Sequence, residues 1–199
     1  YGSAQYSPMD EKHPLAAPHP YGASKIAADR ACFAYNKTYG MNVNIVRCFN
    51  IFGPRQKDYG YGGAISIFIR RVLNNLPPII YGDGTQTRDY MYVKDAVQAF
   101  DLVFNAKNNI AGMPINFGTG KDIQIKDLAE LIIKLCGKEG QLKAVHVSPR
   151  PSEVTKLCAD FSLAKRLLGF QPKYTLEEGL KEFIEWYKNY RFEQWAKPG

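Results

Sequence analysis

Two tyrosine–lysine pairs with a spacing of four residues are the first features of the sequence that could do chemistry. Tyr21 and Lys25 lie in the segment PYGASK, and Tyr90 and Lys94 lie in YMYVK. A lysine ammonium beside a phenol favours the ionised phenol, which can remove a proton from a sugar or alcohol hydroxyl while hydride leaves the same carbon. The chain has thirteen tyrosines, so one such match is expected by chance, and local structure has to separate the pairs.

The first pair opens a predicted helix, and the second lies in a segment that reads as extended. The alanine-rich stretch 21–39 ends at Gly40, a natural helix terminator. Residues four apart on a helix lie about 6 Å from each other on one face, so Tyr21 and Lys25 should be neighbours. Residues four apart on a strand are separated by roughly 13 Å, so Tyr90 and Lys94 should not meet.

The remaining elements alternate between strands and helices, which predicts an α/β chain with some parallel sheet. Apolar periodicity and turn residues indicate a strand within 42–53 that ends at the turn FGPRQ, a helix at 64–75, and strand–turn–strand at 77–93 with Gly82 and Gly84 in the turn. They also indicate a helix at 94–107, short strands at 113–118 and 143–149, and helices at 123–137, 160–170 and 175–191. We expect Asp160 or Ser162 to cap the penultimate helix, and Thr175 with Glu178 to form a capping box on the last.

Composition excludes several classes of function. Of the 199 residues, 45% are hydrophobic and 23% charged, which is ordinary for a globular protein, and no run of eighteen apolar residues predicts a membrane span. No signal peptide is visible either. The net charge of +7 is spread among acidic residues without a stripe of basic and aromatic side chains, so we expect no nucleic-acid partner.

The cysteines and histidines do not form metal-ligand spacings. The four cysteines lack a C-x-x-C pair and lie in apolar contexts, which predicts buried free thiols and a reducing, cytoplasmic location. They are Cys32, Cys48, Cys136 and Cys158. The three histidines have no ligand spacing with each other or with the cysteines, so we expect no metal site.

None of the glycine-rich segments completes a nucleotide-binding fingerprint. FGTGKD lacks the distant first glycine and the Ser/Thr of a P-loop, and neither YGYGGA nor YGDGTQ completes G-x-G-x-x-G between a strand and a helix. Each is better read as a turn or a substrate loop. The chain is therefore predicted to contain no dinucleotide-binding loop of its own.

An ordered series of motifs nevertheless indicates a family. PYGASK, NIVRCFNIFGPRQ, IIYGDGTQTRDYMYVKDAVQA, PINFGTG and PRPSEVTKLCAD follow one another and precede an amphipathic helix. The series resembles the extended short-chain dehydrogenase/reductase family, specifically its nucleotide-sugar epimerases and dehydratases, of which UDP-glucose 4-epimerase is the familiar member. The match runs nearly end to end and is far more specific than any single motif.

The resemblance implies a domain division and a missing segment. Residues 1–50 would be the remaining part of an NAD-binding Rossmann domain, and residues 51–199 would mainly bind the nucleotide sugar, with some elements returning to the Rossmann sheet. The expected fold is thus a partial Rossmann-like parallel sheet with helices plus a smaller substrate-binding α/β subdomain. Because the chain opens at YG, we expect the glycine loop, the acidic ribose-binding residue and the catalytic Ser/Thr to precede it.

The resemblance also assigns roles to individual residues. Tyr21 would be the catalytic base, and Lys25 would hold the nicotinamide ribose and favour the ionised tyrosine. An arginine fork suits phosphate oxygens, which fits two arginines to the diphosphate. The remaining matches are Cys48 and Phe49 near the nicotinamide, Asn50, Arg88 and Arg150 at the diphosphate, Tyr81 stacked near the base, Glu153 near its ribose, and Arg55 and Gln86 as further substrate contacts. The alternative for Arg88 is a structural pair with Asp89 or another carboxylate.

The implied activity is NAD-dependent C4 epimerisation of a nucleoside-diphosphate sugar, such as a UDP-sugar, through a transient 4-keto sugar. A 4,6-dehydratase shares the oxidation and then loses water. RCFNIFGPRQ is closer to the epimerases, because dehydratases tend to show a second asparagine there. A third reading is a non-catalytic nucleotide-sugar-binding module. The resemblance implies a homodimer through the Tyr21 helix and a neighbouring helix. We expect no turnover by these 199 residues alone, because the dinucleotide loop is absent.

Overall fold

The computed structural model describes residues 1–60 and 62–190. Within them lie six helices, α1 (Pro20–Tyr39), α2 (Ala64–Leu73), α3 (Val93–Phe104), α4 (Ile125–Leu135), α5 (Ser162–Leu168) and α6 (Leu176–Asn189). The strands are β1 (Ile45–Cys48), β2 (Asn50–Phe52), β3 (Ile79–Tyr81), β4 (Thr87–Tyr92), β5 (Pro114–Phe117), β6 (Asp122–Gln124), β7 (Val145–Val147) and β8 (Lys156–Leu157). None of the described helices is long and apolar enough to cross a bilayer.

The strands form three small sheets that are mostly parallel. β1 pairs with β5, and β3 pairs with β7, both in parallel. β4 lies between β2 and β6 and also pairs with β8; only its pairing with β6 is antiparallel. The predicted α/β class with parallel sheet is confirmed. A domain division at residue 50 stays a prediction, and β5 joins the sheet of β1 across that point.

Two local predictions were wrong, and one strand was not predicted. Ile123 and Gln124 belong to β6 rather than to the following helix, because they pair with β4. β8 has no counterpart in the sequence prediction, since two residues are too short for a periodic pattern. α5 is capped by Phe161 without a side-chain bond, although the Asp160 carboxylate accepts a hydrogen bond from the Ser162 amide. The capping box of Thr175 and Glu178 is confirmed.

Two hydrophobic clusters hold these elements together. The larger one packs α2, α4 and α6 against β2 and β4, and its fully buried members include Phe52, Ile69, Leu128 and Phe183. The smaller one lies between α3, α5 and β5, around Met91 and Phe117. β4 contributes side chains to both clusters, so it is the element on which the rest of the fold is placed.

Helix α1 is attached differently. Its N-terminus is capped by the His19 ring, which accepts a hydrogen bond from the Gly22 amide at 3.0 Å, and it ends at Gly40 with a φ of 66°. Of its twenty residues, Gly22 and Asp29 are the buried ones. The Asp29 carboxylate accepts a hydrogen bond from Arg47 Nε of β1 at 2.7 Å. The helix is therefore tied to the sheet mainly by one ion pair.

Candidate functional site

Six of the predicted substrate-binding residues line one cavity of about 450 Å³. They come from the start of β2, from β3 and β4 with the turn between them, and from the loop before β8. They are Asn50, Tyr81, Gln86, Arg88, Arg150 and Glu153. Segments that are far apart in the sequence thus meet at one concave surface, although the roles of these residues stay predictions.

Arg88 is already bound within the cavity. Its Nη2 lies 2.7 Å from Oε1 of Glu153, and its Nη1 donates to the main-chain oxygen of Thr87 at 2.8 Å. The side chains of Arg88 and Glu153 are 13% and 29% exposed, so water screens this pair less than a surface pair. A carboxylate partner was the alternative for Arg88, and the partner is Glu153, itself a candidate site residue.

Asp89 holds the loops that follow β5 and β8 instead of pairing with Arg88. It is fully buried and accepts hydrogen bonds from the amides of Thr119, Gly120 and Ala159 and from the Thr119 hydroxyl. Burial raises its pKa, and these hydrogen bonds oppose the rise. Because Asp89 is next to Arg88 in β4, these bonds fix the strand that presents Arg88 to the cavity.

Arg150 lies over the face of an aromatic ring. Its Cζ is 4.0 Å from the centroid of Tyr81, a cation–π arrangement. Gln86 Nε2 donates to the main-chain oxygen of Tyr81 at 3.0 Å, and Asn50 Nδ2 donates to the main-chain oxygen of Asp89 at 3.0 Å. These contacts hold β2, β3 and the following turn in place beneath the arginines.

Two further arginines of the cavity were missed by sequence reasoning. Arg70 and Arg71 lie on α2 and line the same cavity. Arg70 Nε donates to the main-chain oxygen of Asp58 at 3.0 Å, and Arg71 Nε donates to that of Pro77 at 2.7 Å. The signal that could have found them is two adjacent cations between buried apolar residues of one helix, Ile69 and Val72.

Tyr21 and Lys25 are neighbours on the first turn of α1, as predicted. Lys25 Nζ lies 5.4 Å from the centroid of the Tyr21 ring. The His19 ring stacks on the Tyr21 ring, with 6.2 Å between the two centroids. Tyr21 is 69% exposed. Among the described residues, neither its hydroxyl nor the ammonium of Lys25 has a hydrogen-bond or ion-pair partner. Both groups are free to bind the hydroxyls of a ligand.

The second tyrosine–lysine pair is structural. Tyr90 is buried in the larger core cluster, where burial raises its pKa. Lys94, at the start of α3, donates instead to Oε2 of Glu182 at 2.6 Å. The Tyr90 ring and the Lys94 ammonium therefore have different partners, although this pair has the same spacing in sequence as Tyr21 and Lys25.

Three other candidate residues lie outside the cavity lining. Cys48 packs beside the smaller core cluster, and burial raises its pKa to about 11, so it is a neutral thiol near pH 7. The Phe49 side chain is buried beside Met9, and its amide donates to the Phe117 oxygen. Arg55 is exposed, with a φ of 68°. The roles assigned to these three residues stay predictions.

The cysteines and the potential metal ligands add no site within the described residues. All four cysteines are free, Cys158 being buried and the other three half-buried. No group of three histidine, cysteine or carboxylate side chains within residues 1–60 and 62–190 is arranged to hold a metal ion.

Comparison with known sequences places these features in context. The profile of the family described as GDP-mannose 4,6 dehydratase matches residues 1–183. A protein of Methanocaldococcus jannaschii, provisionally named UDP-glucose 4-epimerase, is 40% identical over 95% of this chain and 60% of its own. A dTDP-glucose 4,6-dehydratase of Actinoplanes sp. is 32% identical over 94% of this chain and 57% of its own.

Solved structures agree with the sequence matches. The protein named Pal from Bacillus thuringiensis superposes with a TM-score of 0.87 at 39% identity, over 95% of this chain and 59% of that one. The UDP-glucuronic acid 4-epimerase from Bacillus cereus, solved with UDP-glucuronic acid and NAD, has a TM-score of 0.88 at 30% identity, over 95% and 58%. This chain spans less than two thirds of the length of each of these proteins.

Proposed function

The chain belongs to the family described as GDP-mannose 4,6 dehydratase, among the extended short-chain dehydrogenase/reductase epimerases and dehydratases, and from this premise we propose that it serves NAD-dependent epimerisation of a nucleoside-diphosphate sugar. The proposed reaction is at C4 of a UDP-sugar. One observation carries the proposal: six separately predicted residues, two of them arginines, line a single cavity. Its 450 Å³ is in the range of small-molecule sites.

The chain's own residues supply proton transfer and binding in this proposal. Tyr21 takes the proton of the sugar C4 hydroxyl and returns it after the 4-keto sugar has turned its other face. Lys25 holds the nicotinamide ribose and favours the ionised Tyr21. Arg88 and Arg150 bind the diphosphate through charge-assisted hydrogen bonds. NAD, when bound, would accept the C4 hydride and return it to the opposite face of C4, so that the epimerisation is redox-neutral overall.

The residues of this chain fit the nicotinamide-ribose end of such a cofactor. The Tyr21 hydroxyl and the Lys25 ammonium have no partner in the described part of the chain and lie side by side. A ribose offers hydroxyl groups that both can bind. The 199 residues contain no G-x-G-x-x-G loop between a strand and a helix, so we propose that residues 1–199 alone do not turn over a sugar nucleotide. NAD binding and epimerisation by this segment would contradict that.

A 4,6-dehydratase is the second candidate. It is supported by the description of the matching family and by the dTDP-glucose 4,6-dehydratase among the relatives. The 40% identity to the Methanocaldococcus jannaschii protein, against 32% to that dehydratase, supports the epimerase, as does the segment RCFNIFGPRQ.

A panel of substrates distinguishes these functions. The full-length protein is incubated with NAD and with UDP-, dTDP- and GDP-sugars, and products are identified by mass spectrometry and NMR. A C4 epimer supports the epimerase, and a 4-keto-6-deoxy sugar supports the dehydratase instead. Binding without any product would indicate a non-catalytic nucleotide-sugar-binding module and would contradict the catalytic role of Tyr21.

We also propose that the protein is a homodimer through α1 in the cytoplasm. Almost the whole surface of this helix is uncovered, including Phe33, Tyr35 and Tyr39, which are 37%, 53% and 70% exposed. Aromatic side chains are enriched at protein interfaces. The free cysteines support a reducing compartment. Sedimentation analysis of the full-length protein tests the dimer, and a monomer would contradict it.

A further inference from the structure

Glu153 forms an ion pair with Arg88, one of the two arginines that the proposed function assigns to the diphosphate. Among the described residues that line the cavity, it is the one carboxylate, and four arginines line the same surface: Arg70, Arg71, Arg88 and Arg150. Its Oε1 lies 2.7 Å from Nη2 of Arg88. The one carboxylate among these lining residues therefore pairs with one of the four arginines, Arg88.

Arg88 already uses two of its N–H donors inside the protein. A guanidinium carries five N–H donors, two of them on Nη2. Nη2 binds Glu153, while Nη1 donates to the main-chain oxygen of Thr87. A phosphate that takes a bidentate grip on Arg88 must either replace the Glu153 carboxylate or lie beside it. The phosphate and the Glu153 carboxylate are both negative, so Glu153 opposes binding of the phosphate in either arrangement.

Arg150 is in the opposite state. Its guanidinium lies over the ring of Tyr81 at 4.0 Å, and no carboxylate pairs with it in the described part of the chain. An anion can reach Arg150 without displacing anything, whereas access to Arg88 requires competition with Glu153. The two arginines of one cavity thus differ in how readily they accept an anion.

We propose that Glu153 is an internal counter-ion that competes with the anionic ligand for Arg88 and thereby sets the affinity of the cavity for diphosphates. The inference rests on the proposed function, because it takes the ligand to be a nucleoside diphosphate. Glu153 keeps Arg88 neutralised in the ligand-free protein. A diphosphate reaches Arg88 either by displacing this carboxylate or by lying beside its negative charge, so the counter-ion lowers affinity and favours ligands that engage both arginines.

Inorganic pyrophosphate tests the counter-ion directly, because it has neither ribose nor base. Calorimetric titration of the full-length protein compares pyrophosphate and UDP on the natural protein and on Glu153→Gln, which keeps shape and hydrogen bonding but removes the charge. We expect pyrophosphate to bind about tenfold more tightly to the variant, and the gain to shrink at high salt. Glu139→Gln removes the same charge from an exposed loop residue outside the cavity lining and should change affinity less than about twofold.

A double-mutant comparison isolates the pair. In an Arg88→Met background, Glu153→Gln should no longer improve pyrophosphate binding, because the competition has been removed. Unchanged or weaker pyrophosphate binding by Glu153→Gln, in a protein that binds UDP, overturns the counter-ion. A persisting gain without Arg88 overturns it as well. A natural protein that binds no UDP overturns the proposed function itself, a result distinct from these two.

Discussion

The cavity and the first turn of α1 hold the two parts of the proposed chemistry, and their side chains are fixed in opposite ways. In the cavity, Arg88 is bound to Glu153, and Arg150 lies over Tyr81. On α1, Tyr21 and Lys25 contact each other, and nothing else in the described part of the chain holds their polar ends. The arginines of the cavity are therefore held by contacts within the chain, whereas the polar ends of Tyr21 and Lys25 are left for a ligand to hold. Binding and turnover should be separable by mutation.

The largest expected effect separates the two regions. Tyr21→Phe in the full-length protein should lower turnover by about a thousandfold, since it removes the proposed base and general acid–base catalysis contributes about 10²–10⁴-fold. UDP affinity should stay within about twofold, because Tyr21 does not line the cavity. Turnover is followed by product NMR and affinity by calorimetry. Normal turnover in the variant would exclude Tyr21 as the base.

The matched control is Tyr39→Phe, at the other end of the same helix. Tyr39 is 70% exposed within this chain, close to the 69% of Tyr21, and phenylalanine keeps the aromatic ring that the proposed dimer contact uses. We expect Tyr39→Phe to retain turnover. A comparable loss in both variants would assign the effect to α1 as a whole and not to the Tyr21 hydroxyl.

The second prediction concerns the ion pair that docks α1. Burial disfavours the charge of Asp29, but hydrogen bonds from Arg47 and Arg30 outweigh it, so its pKa is lowered. Asp29→Asn should reduce the free energy of unfolding by about 2 kcal/mol, because it leaves Arg47 half-buried without its carboxylate. It should also lower turnover more than UDP affinity. Denaturant titration and the same two assays measure this.

The pH dependence of this pair has a defined sign. An aspartate whose folded pKa lies below its unfolded value of about 3.9 stabilises the protein above that value. The stabilisation is lost as pH falls through the folded pKa. The difference between the natural protein and Asp29→Asn should therefore shrink below about pH 4. The exposed Asp101→Asn on α3 serves as the control, and equal destabilisation by both would contradict the docking role of Asp29.

The sequence predicted local relations far better than distant ones. Tyr21 and Lys25 could be placed together because a helix brings residues four apart into contact without any help from the rest of the chain. Glu153 and Arg88 are 65 residues apart, and periodicity carries no information on which carboxylate meets which arginine. The parallel pairing of β3 with β7 could not be foreseen either, because three-residue strands show no pattern that selects a partner.

The residues of the cavity show the same limit of prediction from sequence. The order of motifs indicated Asn50, Tyr81 and Arg150 through a family resemblance, and all three line it. Arg70 and Arg71 were missed because their helix was read only for its apolar face. A helix that is buried on one side can present cations from its flank to a cavity, and only the packing of α2 against β3 and β4 reveals which cavity.

The third prediction tests how firmly the cavity is preorganised. Tyr81→Leu removes the aromatic face beneath Arg150 and leaves a shorter apolar side chain. We expect UDP to bind about fivefold more weakly, consistent with a cation–π contribution of about 1 kcal/mol. Turnover at saturating substrate should be nearly unchanged. A variant that binds UDP normally would show that Arg150 needs no aromatic support.

The smallest expected effect belongs to the other tyrosine–lysine pair. Lys94 is exposed and binds Glu182, and the hydrogen bonds from Lys94 and Tyr92 lower the pKa of Glu182. Lys94→Met should shift the unfolding midpoint by only about 1 °C, and this difference should vanish as pH falls and Glu182 is protonated. Turnover should not change, since Tyr90 is buried in the core. A large loss of turnover in Lys94→Met, beside an active Tyr21→Phe, would reverse the assignment of the two pairs.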